Sequence, residues 1–139
     1  MSRSGYDDGC DDGWAMIRYR GAVKSAIRGR RGQAFLRDLL ATLDAMPEKK
    51  LIEGELETPD GVCALGALGR ARGIEMKGLD PEDAEHVAAV FGVAPALARE
   101  IVYENDEVGY WPKETPEARF TRLRAWVASC LWEPTEAAQ

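Results

Sequence analysis

Gln33–Met46 reads QAFLRDLLATLDAM, and this stretch decides the fold. Phe35, Leu39 and Leu43 recur every four residues, with Leu36 and Leu40 in the adjacent row. Such spacing predicts a helix with one apolar face turned to a core, and Pro47 stops it because proline cannot continue the hydrogen-bond ladder. Just upstream, from about Trp14 to Arg28, Met16, Tyr19, Val23 and Ile27 fall on one helical face. Arg20, Lys24 and Arg28 form a basic stripe on another. Arg28-Gly29-Arg30-Arg31-Gly32 then interrupts the helix, and Gly29 and Gly32 are both able to supply a left-handed residue.

Downstream, residues 48–61 (EKKLIEGELETPDG) read as a loop, since Pro59-Asp60-Gly61 is turn chemistry, with room for one short β element. Val62 to Arg72 (VCALGALGRAR) has small side chains for a helix, and Gly73 is a suitable C-terminal cap. Gly66 and Gly69 each cost on the order of 1 kcal/mol in a helix interior, a penalty that close approach by another helix would offset. The segment is therefore expected at the centre of the fold. Asp80-Pro81 has the signature of a helix start, with Val87, Val90 and Phe91 inward and Gly92 at the end. Pro95 opens a further helix to about Asn105, bearing Leu97, Ile101 and Val102. Thr115-Pro116-Glu117 opens the last, whose face is Phe120, Leu123, Val127, Cys130 and Leu131. The expectation is one all-α domain of about six helices over 13–132, preceded by an acidic mobile arm (1–12) and followed by a polar tail (133–139).

The 139 residues are 45% apolar, enough for one core. No apolar run approaches the roughly 20 residues that span a bilayer. Asp7, Asp8, Asp11 and Asp12 occupy the region where a signal peptide would be apolar. Three unpaired cysteines (Cys10, Cys63, Cys130) fit reduced thiols, and the expected location is the cytoplasm.

Charge is divided unevenly. Between Gly13 and Arg37 there is no acid but seven bases: Arg18, Arg20, Lys24, Arg28, Arg30, Arg31 and Arg37. The whole chain has 18 Lys+Arg and 24 Asp+Glu, so the remainder has 11 against 24. One stretch thus carries +7 and everything else 11 − 24 = −13, for the net −6. A chain so divided presents one face to phosphates and another that repels them.

Candidate sites are few. Arg20, Lys24, Arg28, Arg30 and Arg31 form a candidate nucleic-acid-binding segment over 18–31; the competing expectation is that these charges pair internally with the arm or with residues 100–107. Ala88 to Ala94 followed by Pro95 to Asn105 has the small residue, glycine and apolar residue of a helix-turn-helix at suitable spacing. Glu100, Glu104, Asp106 and Glu107 would repel a polyanion there, so the segment is read as a plain helical hairpin. Cys63, His86 and Asn105 or Asp106 contain the residue types of a thiol site, but Cys63 in an apolar run reads as a buried hydrophobe. Zinc ligand spacing is absent. Asp8, Cys10 and Asp12 fail as a calcium loop because Tyr19 stands where its closing glutamate belongs. No cofactor is expected. Tyr110 and Trp111, with Glu100, Glu104, Asp106 and Glu107 beside them, form the candidate protein-binding surface.

Val62-Cys63-Ala64-Leu65-Gly66-Ala67-Leu68, Phe91-Gly92-Val93, Glu104-Asn105-Asp106-Glu107 and Thr115-Pro116-Glu117 carry a resemblance. Over roughly 13–131 the chain resembles an uncharacterised family of small bacterial and bacteriophage-borne helical proteins with a "CALGA" helix and a downstream "ND" turn. That family has no established activity, so no catalytic residue carries over. The resemblance implies a fold and a phage or mobile-element context. The expected role is a non-catalytic accessory protein that engages, and by presenting carboxylates in place of phosphates inhibits, a host protein or nucleoprotein complex. The alternative is a nucleic-acid-binding regulator using residues 18–31, with a thiol enzyme behind both.

Overall fold

The computed structural model describes residues 13–108 and 113–132. Six helices follow one another: α1 (Gly13–Arg28), α2 (Arg30–Ala45), α3 (Ala64–Arg72), α4 (Ala84–Phe91), α5 (Pro95–Asp106) and α6 (Pro116–Cys130), with a two-stranded hairpin, β1 (Glu57–Thr58) and β2 (Gly61–Val62), before α3. The all-α expectation holds, and the short β element expected near 50–60 is this antiparallel pair, with Glu57 opposite Val62 and Thr58 opposite Gly61.

Only Gly29 separates α1 from α2. Neither glycine of the elbow is left-handed: Gly29 is extended at φ −67°, ψ 160°, and among the described residues positive φ is confined to other glycines. Gly32 serves proximity instead, because a Cβ there would lie 1.7 Å from the Ala26 carbonyl oxygen. The first turn of α2 therefore rests directly on the last of α1. Beyond it Phe35, Leu36, Leu39 and Leu43 are buried as the spacing predicts. The exposed carbonyls at the C-terminus of α2 are satisfied by Lys49, whose Nζ donates to Leu43 O (3.3 Å) and Asp44 O (2.6 Å).

Helix α3 lies at the centre, with Ala64 to Gly69 all buried. Its glycines admit close neighbours, but a loop and a side chain rather than another helix. A Cβ on Gly66 would meet Leu56 O at 1.8 Å, and one on Gly69 would meet Met76 Sδ at 2.5 Å. Gly73 ends the helix in the left-handed region (φ 71°). The next helix begins three residues later than its Asp-Pro signal suggests. Asp80 and Pro81 form a turn closed by Asp83 N donating to Asp80 O at 3.0 Å. Asp83 is the cap, accepting from His86 N. The buried face is centred on Ala84, Val87, Ala88 and Phe91, which leaves Val90 at its edge, 37% exposed.

α5 crosses α4 at 107° and becomes the axis of the molecule. α1, α3 and α4 pack against it, and α2 bridges α1, α3 and α6. The Phe35 and Phe91 rings meet edge-on at 6.5 Å between centroids. α6 starts where Thr115 Oγ1 accepts from Ala118 N (3.0 Å), and Phe120, Leu123 and Val127 close the core, with Cys130 and Leu131 packed at its margin. Among the described residues no single helix is long and apolar enough to cross a membrane.

Candidate functional site

α1 buries Tyr19 and half-buries Ala15, Val23, Ala26 and Ile27, which leaves its opposite side in water. Arg18, Arg20, Lys24 and Arg28 are exposed there, and successive members of the Arg20–Lys24–Arg28 row rise about 6 Å along the axis. The elbow then carries the same charge onto α2 through Arg30, Arg31 and Arg37, all exposed. None of these seven side chains makes an ion pair among the described residues.

Carboxylates on α2 and on α5, which packs against α1, are engaged elsewhere. Asp38, the first acid after the basic stretch, holds Arg72, whose Nη2 lies 2.6 Å from Oδ2. Asp44 accepts from Arg124 (2.6 and 3.1 Å), and that contact keeps the Asp44 carboxyl below its usual range. Glu100, on α5, is 7% exposed and accepts from Tyr19 Oη at 3.2 Å. Internal neutralisation of the stripe by residues 100–107 is therefore not what the fold does.

Of the acidic run expected to form a contact surface, one member is withdrawn from solvent and the other three are partly exposed. Glu100 is buried, and Glu104 faces Arg122 across 3.7 Å with its side chain 13% exposed. Asp106 accepts from Gly54 N (3.2 Å) and Asn105 Nδ2 (2.8 Å), and burial raises its carboxyl above the usual range. Glu107 is half-buried at the end of α5. The reason is that α5 is packed from several sides, so its polar positions face other helices. Tyr110 and Trp111, the aromatic half of that candidate surface, lie outside the described residues, as does the arm with Asp8, Cys10 and Asp12.

Asn105 proves to be a structural knot. At 2% exposed, its Oδ1 accepts from Ala64 N (3.1 Å) at the start of α3 and its Nδ2 donates to Ile52 O (2.9 Å). Cys63 completes the cap, its Sγ accepting from Gly66 N. Burial pushes the Cys63 thiol up to about 12, so at neutral pH it is a protonated thiol and a poor nucleophile. His86, its imagined base, is exposed in the first turn of α4. The residues of the "CALGA" helix and "ND" turn thus form one hydrogen-bonded junction between α3, α5 and the loop at Ile52.

α4 and α5 do have helix-turn-helix geometry: two helices at 107°, a short turn and a left-handed Gly92 (φ 74°). Yet no residue of α5 from Ala96 to Asp106 is fully exposed, so this helix cannot enter a groove. Among the described residues no cluster of three or more His, Cys, Asp or Glu side chains is placed to hold a metal ion. An open groove of about 650 Å³ brings Glu55, Glu57 and Glu75 together with Arg70 and Lys77 and is not selective for anions.

Large apolar side chains stand beside the basic face. Trp14 and Ile17 are 68% and 60% exposed on α1, and Trp132 is 57% exposed after α6. For the first two the signal was in the periodicity, since both fall off the Met16–Tyr19–Val23–Ile27 face. For Trp132 nothing local marks it, because it reaches the elbow only through the fold.

No family model, no curated protein and no solved structure matches the chain.

Proposed function

We propose that the protein is a non-catalytic binding protein that holds nucleic-acid phosphates on the outer face of α1 and α2. The observation that carries this reading is the absence of counter-ions, among the described residues, from seven exposed cations on two adjoining helices. Each phosphate that a cation neutralises releases condensed counterions, so log K falls with log salt by roughly 0.9 per contact on a duplex and 0.7 on a single strand. The net charge of −6 does not oppose such binding when the acids lie elsewhere; it confines contact to one face and fixes the orientation of the complex. An accessory factor on a host nucleoprotein complex, the context the family resemblance implies, would use the same face, with nucleic acid as the component it touches.

Fluorescence anisotropy of labelled random-sequence oligonucleotides across a salt series tests the reading. Binding at low salt that weakens steeply with salt, and its loss when Arg20, Lys24 and Arg28 are changed together to Glu, is the expected result. Absence of binding even at low salt would overturn it.

A further inference from the structure

The basic face has a feature that phosphate binding alone does not use. Gln33, 5% exposed, lies in the first turn of α2, immediately after Arg30 and Arg31. Its Nε2 donates to Ile27 O (2.8 Å) on α1 and to Cys130 O (3.0 Å) on α6, and its Oε1 accepts from Trp132 N (2.9 Å). One amide thus ties the end of α6 to the α1–α2 elbow, and brings Trp132 to the place where Arg28, Arg30 and Arg31 emerge. Trp132 is held there by its backbone while its side chain remains 57% exposed. At the far end of α1, about 21 Å away by helical rise, Trp14 and Ile17 are exposed as well. The face is therefore a cationic track with large apolar side chains at both ends.

We infer that the ligand is single-stranded nucleic acid, its backbone following the cations of α1 and α2 and a base stacking on Trp132. This rests on the reading above and narrows it. A duplex keeps its bases stacked on one another, so an exposed indole gains nothing from it unless an element enters a groove. The helix in the recognition position of the helix-turn-helix pair, α5, is covered. A single strand presents the π-face of every base, and a stacked aromatic in a positively charged groove is the usual means of holding it. An anionic membrane surface is the other polyanion such a face can meet. Interfacial helices, however, sink a continuous apolar face into the lipid, whereas here Arg20, Lys24 and Arg28 run through the middle of the exposed side.

The test compares a fluorescein-labelled 20-mer of deoxythymidine, a random duplex of equal length, and phosphatidylglycerol vesicles, each with the intact protein and with Trp132→Ala and Trp132→Phe. The single strand should bind roughly tenfold tighter than the duplex. Trp132→Ala should remove about tenfold of that affinity with the duplex affinity and the salt slope unchanged, and Trp132→Phe should restore most of it. Circular dichroism establishes that each variant is folded. Equal or tighter binding of the duplex, or an equal loss on both oligonucleotides in Trp132→Ala, would overturn the single-strand inference and leave phosphate binding intact. Binding to vesicles with neither oligonucleotide bound would overturn both readings.

Discussion

Arg119, Arg122 and Arg124 on α6 and Arg18, Arg20 and Arg28 on α1 are the same residue type on two helices of one small protein, and they are used in opposite ways. Arg119 is 3% exposed; its Nη1 donates to Leu51 O at 3.0 Å and its Nη2 to Glu53 at 3.2 Å. Arg122 forks onto both oxygens of Glu114 (3.0 and 2.6 Å), and Arg124 onto Asp44. Those on α1 project into water with no carboxylate in reach among the described residues. A guanidinium planted among matched acceptors fixes a loop to a helix. One left without a counter-ion adds repulsion to its neighbours, and a row of them persists at no benefit to the fold. That difference, rather than the count of charges, is what the proposed phosphate-binding face on α1 and α2 rests on.

The contrast breaks most visibly at Arg119. Arg119→Met strips the buried Leu51 carbonyl of its donor and leaves Glu53 to Lys113 alone, and should cost roughly 3 kcal/mol in urea unfolding, with oligonucleotide affinity per folded molecule unchanged. Asn105→Leu comes next: with the Ala64 amide and the Ile52 carbonyl both stripped of a partner, the expected loss is about 3 kcal/mol by the same assay. Gly32→Ala probes the joint between the two regions. A Cβ 1.7 Å from Ala26 O forces the elbow open, for a cost of about 2 kcal/mol, and should weaken oligonucleotide binding as the cations of α1 and α2 lose their relative placement.

A smaller effect is read in acid. Hydrogen bonding to Arg122 holds the Glu114 carboxyl below the usual carboxylate range, so the folded state keeps that proton off more strongly than the unfolded chain does. The resulting stability is complete above about pH 5 and disappears as pH falls through the lowered value. Asp106 runs the other way, because burial penalises its charged form and protonation relieves the folded state. Glu114→Gln should therefore flatten the acid limb of the stability–pH curve, by about 1 kcal/mol for a part-buried, two-pronged pair. Smallest on stability is Arg20, Lys24 and Arg28 changed together to Gln. Unfolding should move by no more than about 0.5 kcal/mol, while the slope of log K against log salt for a single strand drops by roughly 2.

Much of the architecture was legible wherever one residue has one physical use. Thr115 capping α6, Gly73 and Gly92 taking left-handed conformations, and the Phe35–Leu39–Leu43 row each behaved as their chemistry requires. Asp80-Pro81 misled because the same pair also makes a turn, and only Asp83 three residues on reveals which. Gly32 and Gly66 looked like flexibility or helix packing; their neighbours, Ala26 O and Leu56 O, are backbone atoms that no side-chain pattern announces. For the site, the row of cations was plain in the sequence but its pairing state was not. Asp38 meets Arg72 across 34 residues and Asp44 meets Arg124 across 80. Likewise the carboxylates of α5 read as surface because their neighbours Tyr19 and Arg122 come from distant helices. Nothing in the local sequence marks Trp132, whose partner Gln33 lies 99 residues away.

Segregated charge also gives the molecule a sense of direction before it touches anything. With seven exposed cations gathered on α1 and α2 of a chain whose net charge is −6, charge is unevenly placed, and the field of the proposed polyanion exerts a torque on the molecule. Encounters arriving wrong way round are turned or repelled, so the fraction of collisions that succeed exceeds what random orientation allows. Added salt shortens the reach of that torque to a few ångströms. It therefore slows capture far more than it hastens escape from contacts already made.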